Sequence, residues 1–224
     1  MTRTAVITGA SQGLGAALAH GLAAAGWSLV IDARTASDLT AVAEALPTTV
    51  IAIAGDVVDD DHRASLAEAA SKLGGADLLV NNASTLGGSP PPALGDFPLP
   101  DLLETFEVNV LAPIALTQLL LPQLRLADGG AVLNLSSDAA VEAYAGWGGY
   151  GAAKAALDHA SAVLALEEPS LRVWSVDPGD LRTRLQQEAS PGTDISDKPL
   201  PSSVVPYFLR LLDERPASGR YVAR

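Results

Sequence analysis

The chain has 224 residues, 48% of them apolar and 18% charged, a balance that suits one folded α/β domain with a sizeable core and excludes disorder. A formal net charge of −12 with no long Lys/Arg run disfavours nucleic acid and anionic membrane as partners. The sequence contains no Cys, which removes disulfides, thiol nucleophiles and thiolate metal sites, and no bound metal is expected.

An apolar strand is predicted at residues 4–8, and Met1-Thr2-Arg3-Thr4 ahead of it holds no signal-peptide core, so the expected location is the cytoplasm. A Gly-rich turn follows, then a helix over 13–25 built from Ala and Leu. Further strands are predicted at 28–32, 50–54, 77–81, 131–136, 172–177 and, more weakly, 220–222. The segments between them read as helices at 37–46, 60–73, 100–126, 150–166 and 203–213. Runs apolar at every position, such as Leu78-Leu79-Val80, suit a parallel sheet covered on both faces. Strict β–α alternation then predicts an α/β, Rossmann-type doubly wound parallel sheet of about seven strands, in a single domain spanning 1–224. The most hydrophobic stretch, 110–121, carries Thr117 and Gln118 and is too short to span a bilayer. Segments 86–100 and 186–203 are rich in Pro, Gly and Ser, as lids, binding loops and plain surface connections all are.

The first turn reads Thr8-Gly9-Ala10-Ser11-Gln12-Gly13-Leu14-Gly15. Gly9 permits a tight turn, Gly13 lets the backbone approach a pyrophosphate, and Gly15 lets the following helix lie close on the sheet. That helix offers free N–H groups and a positive dipole end to phosphates. A strand before the turn and a helix after it give the Gly pattern its context.

The spacing TGxxxGxG resembles that of the short-chain dehydrogenase/reductase family, and five further segments agree. Asn81-Asn82-Ala83-Ser84 is similar to the family's Asn-Asn-Ala-Gly turn, with Ser84 where Gly is usual. Asp56-Val57 resembles its adenine-contacting pair, and Asn109 its helix Asn. Ser136-Ser137 ends the predicted fifth strand, and Tyr150-Gly151-Ala152-Ala153-Lys154 matches YxxxK. Pro178-Gly179-Asp180-Leu181-Arg182-Thr183 matches the PGxxxT segment that holds the nicotinamide end. The resemblance implies cofactor contacts from Gly9, Ser11, Gln12, Gly13, Leu14, Gly15, Arg34, Asp56, Val57, Asn82, Ala83, Ser84, Tyr150, Lys154, Pro178, Gly179, Leu181 and Thr183. It departs from the family after residues 219–224, where many members carry a longer segment used in subunit contacts, which disfavours a tetramer.

Hydride transfer to a carbonyl builds negative charge on oxygen, so an acid must deliver a proton. Tyr150 and Lys154 are four apart on one predicted helix and share a face. A nearby ammonium is expected to lower the Tyr pKa from its free value of about 10. Ser137 can donate to the developing oxyanion. The resemblance also implies that Lys154 holds the nicotinamide ribose and that Asn109 fixes a water linking Lys154 to solvent. Tyr144 and Trp147 offer an apolar wall for substrate or simply pack the 139–149 loop. Arg182 and Arg184 are the candidates for a charged substrate group, and the substrate itself is a small-molecule carbonyl or alcohol.

NADP(H) is expected in preference to NAD(H). Asp32 loosely fits the acidic residue that bonds a ribose 2′-hydroxyl. Yet in the family that acid falls at the position of Ala33, and a one-residue offset turns Asp32 to the other side of the strand. Arg34 then suits a 2′-phosphate. A homodimer is expected from the apolar helix carrying Leu116, Leu119, Leu120 and Leu121, paired with the helix after Tyr150, the alternative being that these apolar residues serve only the core. The competing reading is a catalytically silent NAD(P)-binding regulatory protein, which would have no need of both Tyr150 and Lys154. An epimerase or dehydratase resembles the longer, extended branch of the family.

Overall fold

The computed structural model describes residues 2–223. Seven strands form one sheet: β1 Thr4–Ile7, β2 Ser28–Ala33, β3 Val50–Ala54, β4 Leu78–Asn81, β5 Ala131–Leu135, β6 Arg172–Asp177 and β7 Gly219–Val222. Their order is β3-β2-β1-β4-β5-β6-β7, and every pair is parallel. The order reverses between β1 and β4, the point at which open α/β sheets leave a crevice beyond the strand ends.

Alternation along each strand explains why the strands read as unbroken apolar runs. Ala5, Ile7, Leu29, Ile31, Leu78, Val80, Leu133, Trp174 and Val176 face one core. Val6, Val30, Leu79, Val132 and Val173, between them in sequence, face the other. The first core is closed by α1 (Gly13–Ala24), α2 (Ala36–Ala45) and α8 (Val205–Glu214). The second is closed by α3 (Asp60–Lys72), α5 (Ala112–Leu126) and the end of α6 (Gly148–Glu167). At roughly 25 cal/mol per Å² of apolar surface removed from water, burial on both faces is the main stabilising term.

Three expectations need correction. The 110–121 stretch belongs to an unbroken helical run, α4 (Leu99–Phe106), a π-turn Glu107–Leu111 and α5, that is long and apolar enough by composition to cross a membrane. Its Leu116, Leu120 and Leu124 are instead core residues. Leu116 and Leu120 are therefore spent inside, and the exposed large apolar residues on this run are Leu99, Leu103, Leu111, Leu119 and Leu126. The 186–203 segment is not a plain loop, because α7 (Arg184–Ala189) begins just ahead of it, capped by Thr183 Oγ1 accepting from the Gln186 amide at 3.2 Å.

Candidate active site

The strand ends enclose a cleft of about 550 Å³. Every expected site residue lines it except Gly15, Asn109 and Arg182.

At one end, Gly9 and Gly13 have φ of +66° and +58°, the left-handed region that favours glycine. A Cβ on Gly15 would sit 2.3 Å from the Gly9 carbonyl oxygen, so Gly15 serves the close approach of α1 to the turn. Gln12 gives α1 no side-chain cap and its first turn holds no acidic residue, which leaves amide donors and an uncompensated dipole end facing the cleft. The β4 turn is bound to this one. Thr8 Oγ1 accepts from the Asn82 and Ala83 amides at 3.0 Å each, and Asn82 Nδ2 donates to the Thr8 and Gly9 carbonyls.

Asp32 is 1% exposed and fully engaged: Oδ1 accepts from the Gly9 amide at 2.8 Å, and Oδ2 pairs with His62 Nε2 at 2.9 Å. Burial pushes its carboxyl up, against the pull of those two bonds. Ala33 is buried beside it, while Arg34 is exposed at the cleft rim. Neither His62 nor this network was foreseen. Elsewhere in the lining, Asp56 Oδ1 accepts from the Val58 amide at 3.1 Å.

At the inner end, Tyr150 is 7% exposed and packs with Leu86 and Ala139, flanked by Trp147, Leu185 and Ala189. Trp147 meets its ring edge-on at 5.6 Å between centroids. The three segments near 86–100, 139–149 and 186–203 thus converge on one phenol, and Ser89 Oγ donates to the Glu188 carbonyl at 2.8 Å to join two of them. The Tyr150 hydroxyl faces those of Ser84 and Ser137, and both pull its pKa down. Burial outweighs them, helped by the Asp177 and Asp138 charges, and pushes the phenol up to about 12. The expected depression of this pKa is therefore not what the structure holds. Lys154 does not supply it: its Nζ donates to the Leu135 carbonyl at 2.8 Å and lies 5.5 Å from the Tyr150 ring centroid. Burial brings the ammonium itself down to about 8, opposed by Asp158.

Ser137 lies just past β5 rather than ending it, and caps the one-turn helix Asp138–Ala140. Asn109 sits in the π-turn with no exposure; its Oδ1 accepts from Ser84 Oγ at 3.1 Å and the Thr85 amide at 2.9 Å, and its Nδ2 donates to the Thr85 carbonyl. Its side chain therefore holds the β4 turn in place. Tyr144 is half exposed and donates to Asp138 Oδ2 at 3.1 Å. Arg184 lines the cleft paired with Glu188; Arg182 does not line it, and bonds the Ser196 and Lys198 carbonyls instead. A phenol that keeps its proton through the neutral range, with two hydroxyls beside it and a buried amine below, can protonate an oxygen placed in this cleft.

Comparison with known proteins agrees with this geometry. Residues 3–194 match the family model described as short chain dehydrogenase. An uncharacterized oxidoreductase of Mycobacterium tuberculosis is 38% identical over 187 residues, covering 81% of this chain and 70% of that protein. A Shigella flexneri 2a chain solved in complex with NADP superposes with a TM-score of 0.89 at 27% identity, covering 98% of this chain and 95% of the other. A 7α-hydroxysteroid dehydrogenase solved with NADH and 7-oxo glycochenodeoxycholic acid gives 0.88 at 29% identity, over 98% and 91%.

Proposed function

For a chain that belongs to the short-chain dehydrogenase/reductase family, and so is an NAD(P)-dependent oxidoreductase, we propose a cytoplasmic reductase of small-molecule carbonyls in which Tyr150 is the proton donor. The observation that carries this reading is that Tyr150, Ser137, Ser84 and buried Lys154 line the inner end of one cleft.

The chain fits a dinucleotide along its length. Gly9, Ser11, Gln12, Gly13 and Leu14 would hold the pyrophosphate, Asp56 and Val57 the adenine, and Asn82, Ala83, Ser84, Pro178, Gly179, Leu181 and Thr183 the nicotinamide half. When bound, the nicotinamide supplies or accepts the hydride. Ser137 donates a hydrogen bond to the substrate oxygen, fixing it beside the Tyr150 phenol. Tyr150, with a pKa of about 12, carries its proton at neutral pH and delivers it to that oxygen as negative charge develops. Lys154 would bind the ribose, its Nζ held in place by the Leu135 carbonyl at 2.8 Å. In the reverse direction the same phenolate takes the proton from an alcohol. Trp147, Tyr144 and Leu185 wall the substrate side, and Asp138 there disfavours an anionic substrate. A panel of neutral ketones and aldehydes, followed by loss of reduced-nicotinamide absorbance, tests the reading; no turnover on any would count against it.

NADP(H) is the preferred cofactor in this proposal. Asp32 is occupied by Gly9 and His62, whereas Arg34 is exposed at the rim with no carboxylate partner among the described residues. Arg34→Ala should lower kcat/KM for NADPH about ten- to a hundredfold, the worth of one hydrogen bond between charged groups, and leave NADH nearly unchanged. A wild type that favours NADH, or equal losses with both cofactors, would contradict it.

The same proposal includes a homodimer. Leu103, Leu111, Leu119 and Leu126, with Val163 and Leu166 on α6, form the exposed apolar face on the helices expected to pair. Light scattering at micromolar concentration should give twice the chain mass, and a monomer would reject the pairing.

A further inference from the structure

β7 places one guanidinium behind the inner end of the cleft. Arg220 Nη2 donates to the Ser137 carbonyl at 2.8 Å, and its Nε donates to Asp158 Oδ2 at 3.1 Å. Nη2 also lies 3.6 Å from Asp177 Oδ2. Each partner is tied onward. Asp158, one turn beyond Lys154 on α6, accepts from Ser136 Oγ at 2.7 Å, and Asp177 Oδ1 accepts from the Gly179 amide at 2.9 Å. One cation therefore joins the end of β5, the Pro178-Gly179 turn after β6, and the helix that carries Tyr150 and Lys154. The side chains of Asp158 and Asp177 are 14% and 7% exposed and that of Arg220 is 28% exposed, so these pairs are partly sheltered from the screening that weakens surface pairs.

The main-chain bond to Ser137 distinguishes Arg220 from a general surface cation. The Ser136 amide is the last here to bond into the sheet, donating to the Val176 carbonyl at 2.8 Å. Beyond it the chain turns into a single helical turn, and the Ser137 carbonyl accepts from the Ala140 amide at 3.1 Å as well as from Arg220. Without the guanidinium, the direction of the Ser137 hydroxyl depends on that one turn. Sub-ångström placement of such a group matters for rate.

We propose that Arg220 is a positioning residue for proton transfer, holding the Ser137 main chain in place and balancing the Asp158 carboxylate beside Lys154. This rests on the roles proposed above for Tyr150, Ser137 and Lys154. Asp158 is the charge that favours the Lys154 ammonium against burial, and Asp177 is one of two carboxylates, with Asp138, that oppose the Tyr150 phenolate. Arg220 lies on Asp158 and Asp177, so its loss leaves both negative fields unopposed.

Two variants separate the parts. Arg220→Met keeps the apolar stem and removes charge and donors, while Arg220→Lys keeps the charge without the fork. Arg220→Met should lower kcat roughly ten- to a hundredfold in the wild-type background, and much less when Ser137 is already Ala. Equal losses in the two backgrounds would overturn the positioning claim. The electrostatic claim is read without turnover. The chain has three lysines, Lys72, Lys154 and Lys198, so carbon-13 labelling of lysine gives three ε-carbon titrations, and Lys154→Met identifies the one sought. Its midpoint, about 8 in the wild type, should rise in Arg220→Met, return most of the way in Arg220→Lys and fall in Asp158→Asn. A midpoint that stays put in Arg220→Met overturns the claim, whatever Asp158→Asn does. A wild type that transfers no hydride rejects the oxidoreductase reading instead, and the lysine titration still decides whether Arg220 governs Lys154.

Discussion

Tyr150→Phe is expected to cut kcat by roughly 10²–10⁴-fold, the usual worth of general acid catalysis, while melting temperature and cofactor affinity stay close to wild type. The substitution removes one oxygen and leaves the ring, and the ring is what packs against Leu86, Ala139 and Trp147. Ser84 and Ser137 keep other partners when the phenol is lost, Asn109 Oδ1 for the first and Asp138 Oδ1 for the second. The structural cost is therefore small, and the kinetic cost falls on the proton. The raised pKa sharpens the expectation: at about 12, Tyr150 is a loaded acid at every pH at which the enzyme would be assayed. Steady-state kinetics with fluorescence titration of the cofactor checks both halves. A variant retaining more than about a tenth of wild-type kcat would show that another group donates the proton.

Lys154→Met is expected to lose at least about a hundredfold in kcat/KM, as removal of a charged group at a developing anion does, and to change how stability depends on pH. Lys154 is 2% exposed and pairs with no carboxylate among the described residues, its Nζ held by the Leu135 carbonyl. Burial takes its pKa from 10.5 in the unfolded chain to about 8 in the folded one. Between those values the unfolded state binds more protons, so wild-type stability must rise as pH increases through that window and fall as pH drops back through 8. A tenfold change in proton affinity is worth about 1.4 kcal/mol, so the ammonium costs the fold on the order of a few kcal/mol at neutral pH. Met fills a similar volume without the charge, against the loss of one hydrogen bond worth about 1 kcal/mol. Tyr150, at 10 unfolded and about 12 folded, acts above this window and in the opposite sense. Thermal melts from pH 8 to 10 should therefore climb in the wild type and stay flatter in Lys154→Met. Parallel curves would mean that Lys154 is not held against its own burial cost. Such a cost is the pattern expected of a group kept for chemistry.

The sheet was legible because its cause is local. Each strand is apolar at successive positions, and the order of strands and helices follows from their alternation along the chain. The cleft was legible for a related reason: the Gly-rich turn, Asn82, Ser137, Tyr150, Lys154 and Pro178 all stand at strand ends or the start of a helix, and a parallel sheet gathers those ends on one edge. What the sequence left hidden is mostly pairing between distant positions. Asp32 and His62 are 30 residues apart and Asp158 and Arg220 are 62 apart, and no periodicity links either pair. The Tyr150 pKa was misjudged because spacing on a helix reports which face a Lys shares, but not that its Nζ turns to a strand carbonyl while the phenol is buried. Helix α7 was missed because Gly192 and Pro191 follow it closely and mask a six-residue element that depends on its Thr183 cap. Leu116 and Leu120 suit a dimer face or the core equally by sequence, and the second core takes them.

The central claim is that hydride enters a carbonyl carbon in this cleft while Tyr150 protonates the oxygen. It is tested most directly with NADPH carrying two deuteriums at the nicotinamide C4, an active ketone or aldehyde, and mass spectrometry of the alcohol formed. The account predicts one deuterium on the carbinol carbon with the wild type, and no alcohol above about a hundredth of that amount with Tyr150→Phe under the same conditions. Unlabelled alcohol from the wild type, or labelled alcohol formed equally well by Tyr150→Phe, would contradict it.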